Sequence, residues 1–368
     1  MAARRDTCRQ SGHPGTCRDA RPSCSRHGTP AQESAGTRTQ SSLAGPQAED
    51  RSETIRAVAQ TRRYPHRWFD RGRDAFQRLA PKAPAVYACP LCARGFFRSA
   101  VVKRTLTIEH APPESLGGRP ICLTCTYCNN TAGHTVDVHM RRRETVTDFV
   151  LGTMTESRPA RFQVHGASMA ASYYNGPGGV FVKGVPKANR PSAPEEVRAE
   201  MHRPVPAAHG PLTFHVTLTQ DAYDHRLANL GWLRSAFLVA FSAFGYCYAF
   251  HRSLEPVRRQ LAARDAPILD HFAVLLPKAP KDERRLLIVT APEDLCSIAV
   301  QMGRHLVFLP APWEPDGLYE KLAARSEDAA RHRGHRFDAN LDFKQVPWPQ
   351  EPMHLLDLDL LPGYRRSA

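Results

Sequence analysis

The chain has 368 residues, 42% of them hydrophobic, a formal net charge of +14 and ten cysteines. This length and apolar content exclude a wholly disordered chain and leave room for two domains or one large one. The positive balance fits a polyanionic partner such as nucleic acid, although Arg-rich, Lys-poor usage also fits a GC-rich, bacterial genome. Ten cysteines in a chain this long do not read as a secreted disulfide framework. The basic N-terminus has no apolar run after it, so no secretory signal is predicted. A cytoplasmic location with cysteines kept for metal is the simpler expectation.

Met1 to Gln60 contain no Phe, Tyr or Trp. Such a segment cannot bury enough apolar surface to offset its ordering entropy, so a disordered basic tail is expected over 1–60. Cys8, Cys17 and Cys24 lie there at spacings that match no metal-site template. Trp68, Phe69, Phe76 and Leu79 then recur at helical spacing, a short amphipathic lead-in to a module spanning 61–152. Arg161 to Val185 reads as two short strands, RFQVHGAS and VFVKGV, with a polar Gly176–Gly179 turn region between them, and Leu212 to Thr219 alternates as one more strand.

Leu227 to about His251 reads as a helix apolar nearly all round. Its most apolar run, Ala236 to Phe250, is short for a membrane span of about 20 residues, so a buried core helix and no membrane are expected. Ser253 and Pro256 open a further helix. Phe272–Leu276, Leu286–Thr290, Cys296–Gln301 and His305–Leu309 read as strands, and Asp316–Ala330 as a helix. Residues 153–368 are therefore an α+β domain of unknown role.

The densest chemistry lies between Cys89 and Glu144. Cys89 and Cys92 form one Cys-x-x-Cys pair, and Cys125 and Cys128 another. Two such turns supply the four thiolates of a closed structural zinc site. Cys122 forms a competing pair with Cys125, so the fourth ligand is ambiguous; Cys128 is preferred because Asn129 follows it. The insert runs through the apolar Leu106–Ile108 to Glu109 and His110, then to a Pro112–Pro113 and Gly117–Gly118 turn region. A neutral His can take a proton from water near neutral pH. A carboxylate and an amide oxygen are hard ligands suited to Mg2+ or Mn2+. Glu109, His110 and Asn129 thus supply the parts for metal-assisted phosphodiester hydrolysis.

The order C-x-x-C, E-H-x-x-P-x-S-L-G-G, C-x-x-C-N-N-x-x-G resembles the HNH endonuclease superfamily, in the branch with EH, CN and a four-cysteine zinc. The resemblance implies a small zinc-bound ββα-metal module, joined here to the larger α+β C-terminal domain with its buried central helix. By position it implies His110 as general base, Glu109 and Asn129 on the catalytic divalent ion, and Cys89, Cys92, Cys125 and Cys128 on zinc. The implied partner is nucleic acid, DNA first. The chain departs from many members in having Pro120 and Ile121 where an Asn often precedes the second cysteine pair, Ala132 where Lys is common, and Glu in place of Asp. The alternative is a non-catalytic zinc-ribbon protein that binds nucleic acid.

Downstream, Arg141, Arg142 and Arg143 are candidate phosphate contacts. His134, about 140° round a helix from Asn129, is a candidate phosphate contact and not a metal ligand. His139 reads as a surface residue, and Asp137 is expected to pair with Arg141 four residues on.

Overall fold

The structure is a computed structural model that describes residues 48–204, 213–219, 222–313, 317–333 and 340–352. The tail cysteines, and all of the expected tail before residue 48, lie outside the described residues. The first element, α1 (Ala48–Leu79), starts twenty residues before the expected lead-in helix and includes the last part of the segment expected to be disordered. Ala, Glu, Gln and Arg dominate that stretch and are good helix formers, which composition arguments based on missing aromatics overlook. Of the expected apolar stripe, Trp68 and Phe69 are buried and Phe76 half-buried, while Leu79 at the helix end is exposed.

A two-stranded knuckle, β1 (Tyr87–Ala88) and β2 (Gly95–Phe96), turns at Cys89 and Cys92 and is followed by the short α2 (Ser99–Val102). Strands β3 (Leu106–Ala111) and β4 (Arg119–Cys125) form an antiparallel hairpin. Helix α3 (Thr126–Ala132) leaves β4 directly, passes through one π turn at Gly133–Asp137 and continues as α4 (Val138–Leu151). The chain then makes β5 (Arg158–Val164), β6 (Ala167–Gly176), β7 (Gly179–Gly184), α5 (Ala193–Met201) and β8 (Phe214–Leu218). The four strands form an antiparallel sheet in the order β7-β6-β5-β8.

Helix α6 (His225–Ala249) comes next. Asp224 caps it, its carboxylate accepting from the backbone N–H groups of Arg226 at 2.7 Å and Leu227 at 3.0 Å. Every residue from Leu230 to Tyr246 is buried, so the all-round apolarity is that of a central core helix. By length and composition α6 could cross a membrane, but 89% of its most apolar stretch is buried inside the fold. After α7 (Glu255–Ala262), strands β9 (Ala273–Leu275), β10 (Arg284–Ala291), β11 (Ser297–Met302) and β12 (His305–Pro310) follow. Helix α8 (Leu318–Arg333) and β13 (Asp342–Val346) end the described chain. These strands form a second antiparallel sheet, ordered β13-β10-β11-β12-β9. Mixed helix and antiparallel sheet make the chain α+β.

One face of α6 packs on β11 and β12. The other bonds to the cysteine-bearing part: the Ser242 hydroxyl donates to the Ile121 carbonyl at 2.8 Å, and the Tyr246 hydroxyl to the Ala88 carbonyl at 2.6 Å. A single apolar core therefore runs from Ile121, Val136 and Met140 through α6 to Ile288, Val300 and Phe308. Gly231 lets α4 come close, because a Cβ there would stand 2.1 Å from the Met140 sulfur.

Candidate functional site

The cysteine site follows from two local turns. In the first, the Ala93 N–H donates to the Cys89 carbonyl at 2.8 Å, closing the turn between Cys89 and Cys92. In the second, β4 ends at Cys125 and α3 begins at once, placing Cys128 on the first helical turn. The Sγ atoms of Cys89, Cys92, Cys125 and Cys128 all lie within 4.8 Å of one another. A tetrahedral zinc with bonds of ~2.3 Å sets sulfur–sulfur edges of about 3.8 Å, and Cys92 and Cys125 stand 3.7 Å apart. Four soft ligands at this spacing fit a structural ion such as zinc.

The thiols also shift one another's proton affinities. Hydrogen bonds from neighbouring thiols, before any other cause, bring Cys92 to about 7 and Cys125 to about 2, and raise Cys89 and Cys128. Such a cluster loses protons readily to a bound cation. Cys122 is not part of it. Its side chain is wholly buried in the core that α6 centres, and burial pushes its thiol pKa well up. This resolves the ambiguity left by its spacing, because successive strand residues alternate faces and Cys122 pairs across β3 with Glu109.

Glu109 and His110 end up in different surroundings. A register shift between them interrupts the β3–β4 ladder, as a bulge does when it re-aims a side chain. Glu109 is only 4% exposed. Its Oε2 accepts from the Thr124 hydroxyl at 2.9 Å and from Arg234 Nη2 of α6 at 2.7 Å. Both bonds fall on Oε2, and Oε1 takes no hydrogen bond among the described residues. His110 is half-buried, and its ring makes no hydrogen bond or ion pair among the described residues. Asn129, on α3, turns back to the strand: its Nδ2 donates to Thr107 Oγ1 at 3.0 Å and to the Ile108 carbonyl at 3.3 Å. That leaves its Oδ1 without a partner among the described residues.

Arg234 is the residue that sequence reading passed over. It is the one charged side chain within the buried part of α6, and that isolation was its only signal. Asp137, on the π turn, sits close enough for its charge to act on Arg234 and Glu109, yet its buried Oδ1 has no hydrogen-bond partner. Burial, above all, raises its pKa. The expected Asp137–Arg141 pair does not form, because the π turn shifts Asp137 inward and breaks the four-residue spacing of a regular helix.

The remaining candidates separate. His134 is exposed and makes no hydrogen bond among the described residues. His139 is not a free surface residue, since its Nδ1 accepts from the Asp224 N–H at 3.0 Å. Of the three consecutive arginines only Arg141 is exposed with its guanidinium unengaged by hydrogen bonds or ion pairs. Arg142 donates to the Ala222 carbonyl at 3.0 Å, and Arg143 bonds to Asn229 Oδ1 with burial lowering its pKa. A 3.6-residue period sends three adjacent side chains in three directions, so a run of Arg is not a uniform face.

Beside the site, the loop from Pro112 to Gly118 folds tightly. Gly117 has φ of +72°, and a Cβ on Gly118 would fall 1.5 Å from the Pro112 carbonyl oxygen. No family model, curated protein or solved structure matches this chain.

Proposed function

We propose that the chain is a metal-dependent HNH-type endonuclease of the bacterial cytoplasm, acting on nucleic acid and on DNA first. The observation that carries this reading is the return of Asn129. A hairpin followed at once by a helix, with two thiols at each end of the insert, sets the Asn129 amide against Ile108, next to Glu109 and His110. In this reading His110 takes the proton from the water that attacks phosphorus. Its ring is uncommitted, so it can accept one. Asn129 and Glu109 present oxygens whose positions are fixed by their other bonds, to Ile108 and to Thr124 and Arg234. A hard divalent ion, Mg2+ or Mn2+, held by Glu109 and Asn129 would supply charge stabilisation at the scissile phosphate. The thiol cluster holds the helix start against the hairpin and takes no part in the chemistry.

Mg2+-dependent nicking of supercoiled plasmid tests this. The wild-type protein is expected to nick, and His110→Ala to lose nicking at unchanged zinc content and melting temperature. Full activity in His110→Ala overturns the assignment.

One observation favours a second reading, a zinc-stapled protein that binds nucleic acid without cutting it. The Arg234 guanidinium lies 2.7 Å from Glu109 Oε2, and a fixed positive charge there opposes a second cation. Wild-type protein that binds nucleic acid yet never nicks it, with Mg2+ or Mn2+ present, selects this reading.

A further inference from the structure

Next to the Pro112–Gly118 loop lies a cleft of about 420 Å3, walled by that loop, α4, the start of β5 and the edge around β10. Its lining carries five cationic side chains against three carboxylates. Two of the carboxylates are already occupied. Asp148 accepts from Lys281 at 2.7 Å and from Arg304 at 2.8 Å, and Glu144 bonds to His305 at 2.5 Å. Arg141 and Arg284 are left with no ion pair among the described residues, and Arg158 has only an exposed contact with Glu156 at 3.8 Å.

Arg284 is the most telling of these. Its Nη1 donates to the carbonyls of Lys281 at 3.0 Å and Glu283 at 2.7 Å, and its Nη2 reaches the Gly117 carbonyl at 3.3 Å. Backbone oxygens thus hold the guanidinium in place with no carboxylate in direct contact, Asp282 of the same lining acting on it only at longer range. Burial, and then repulsion from Arg119, hold its pKa below the ordinary arginine value. A charge kept in that state is stabilised by an anion arriving from outside.

We propose that this cleft seats the sugar–phosphate backbone of the nucleic acid along the Pro112–Gly118 loop that follows His110 in the chain, with Arg284 of the C-terminal sheet and Arg141 of α4 each neutralising a phosphate. The inference rests on the nuclease reading for its partner and adds that the C-terminal half is a wall of the substrate channel. A polymer matches better than a single small anion because the cations without an ion pair stand on two separate elements, α4 and β10, with Arg158 of β5 on the same lining. Backbone contacts of this kind position the strand without reading its sequence.

The test is fluorescence anisotropy with labelled duplex and single-stranded DNA, using the zinc-loaded protein without Mg2+ or Mn2+, across a KCl series. Arg284→Gln and Arg141→Gln are each expected to lower the slope of log K against log[salt] by about 0.9 on duplex or about 0.7 on a single strand, and to weaken binding roughly fivefold or more near 0.1 M salt. Arg198→Gln, on α5 outside the cleft, should leave the slope unchanged. Arg141 is exposed, so its variant remains informative if Arg284→Gln folds poorly. Wild-type slopes in both cleft variants overturn this proposal and leave the nuclease reading standing. Wild-type protein that binds polyglutamate but neither form of DNA overturns both.

Discussion

Replacing Arg234 with Met removes one partner of a buried ion pair and keeps most of its volume. The side chains of Arg234 and Glu109 are 6% and 5% exposed, and they meet at 2.7 Å. The change leaves Glu109 with one hydrogen bond, from Thr124, and deprives the half-buried Asp137 of its favourable neighbour. Uncompensated buried charge of this kind costs about 3–5 kcal/mol. Urea denaturation at pH 7 should show that loss in Arg234→Met, with zinc content measured alongside to exclude loss of the thiol site. Adding Glu109→Gln removes the stranded charge and lets an amide accept from Thr124. The double variant should therefore recover roughly half of the loss, a coupling that additive effects cannot give. Stability within about 0.5 kcal/mol of wild type in Arg234→Met, below the cost of any buried unpaired charge, would show that the pair does not hold α6 to the hairpin.

The thiol geometry predicts that Cys122→Ala keeps one zinc per chain by elemental analysis, because Cys122 lies in the core away from the four clustered sulfurs. Cys125→Ala and Cys128→Ala should lose the metal, and retention of zinc in both would disprove the assignment. His305 is buried, stacked on Trp232 at a ring distance of 3.9 Å, and bonded to Glu144. Burial lowers its pKa, against the opposing effect of Glu144. The unfolded chain then binds this proton first, so its stability contribution is complete above about pH 6.5 and declines as pH falls from there through the lower folded value. The melting temperature of wild type should drop more steeply than that of His305→Gln between pH 7 and pH 5; parallel profiles would rule this out.

Several features were legible in the sequence because they depend on local rules. The Cys-x-x-Cys spacing identified the four clustered thiols, since a short turn brings two sulfurs together wherever it occurs. The β-prone start of β3, the apolarity of α6, and most of the second sheet followed from residue type and repeat. Missed elements were those with weak local signals. Strand β6, ASMAASYYNG, is rich in small residues, and β13 is short and mostly exposed.

The tertiary structure decided the environment of each candidate group. Nothing near Glu109 in sequence announces Arg234, 125 residues away, yet that contact sets the carboxylate's charge balance. Spacing could not choose between Cys122 and Cys128; strand alternation and the helix start at Thr126 did. Three adjacent arginines looked alike until helix geometry sent Arg142 and Arg143 into the protein and left Arg141 on the cleft. Composition, spacing and period fix which groups a chain carries and what local shapes they take. Burial, charge pairing and access depend on segments far apart in sequence meeting in space, and here they meet around α6.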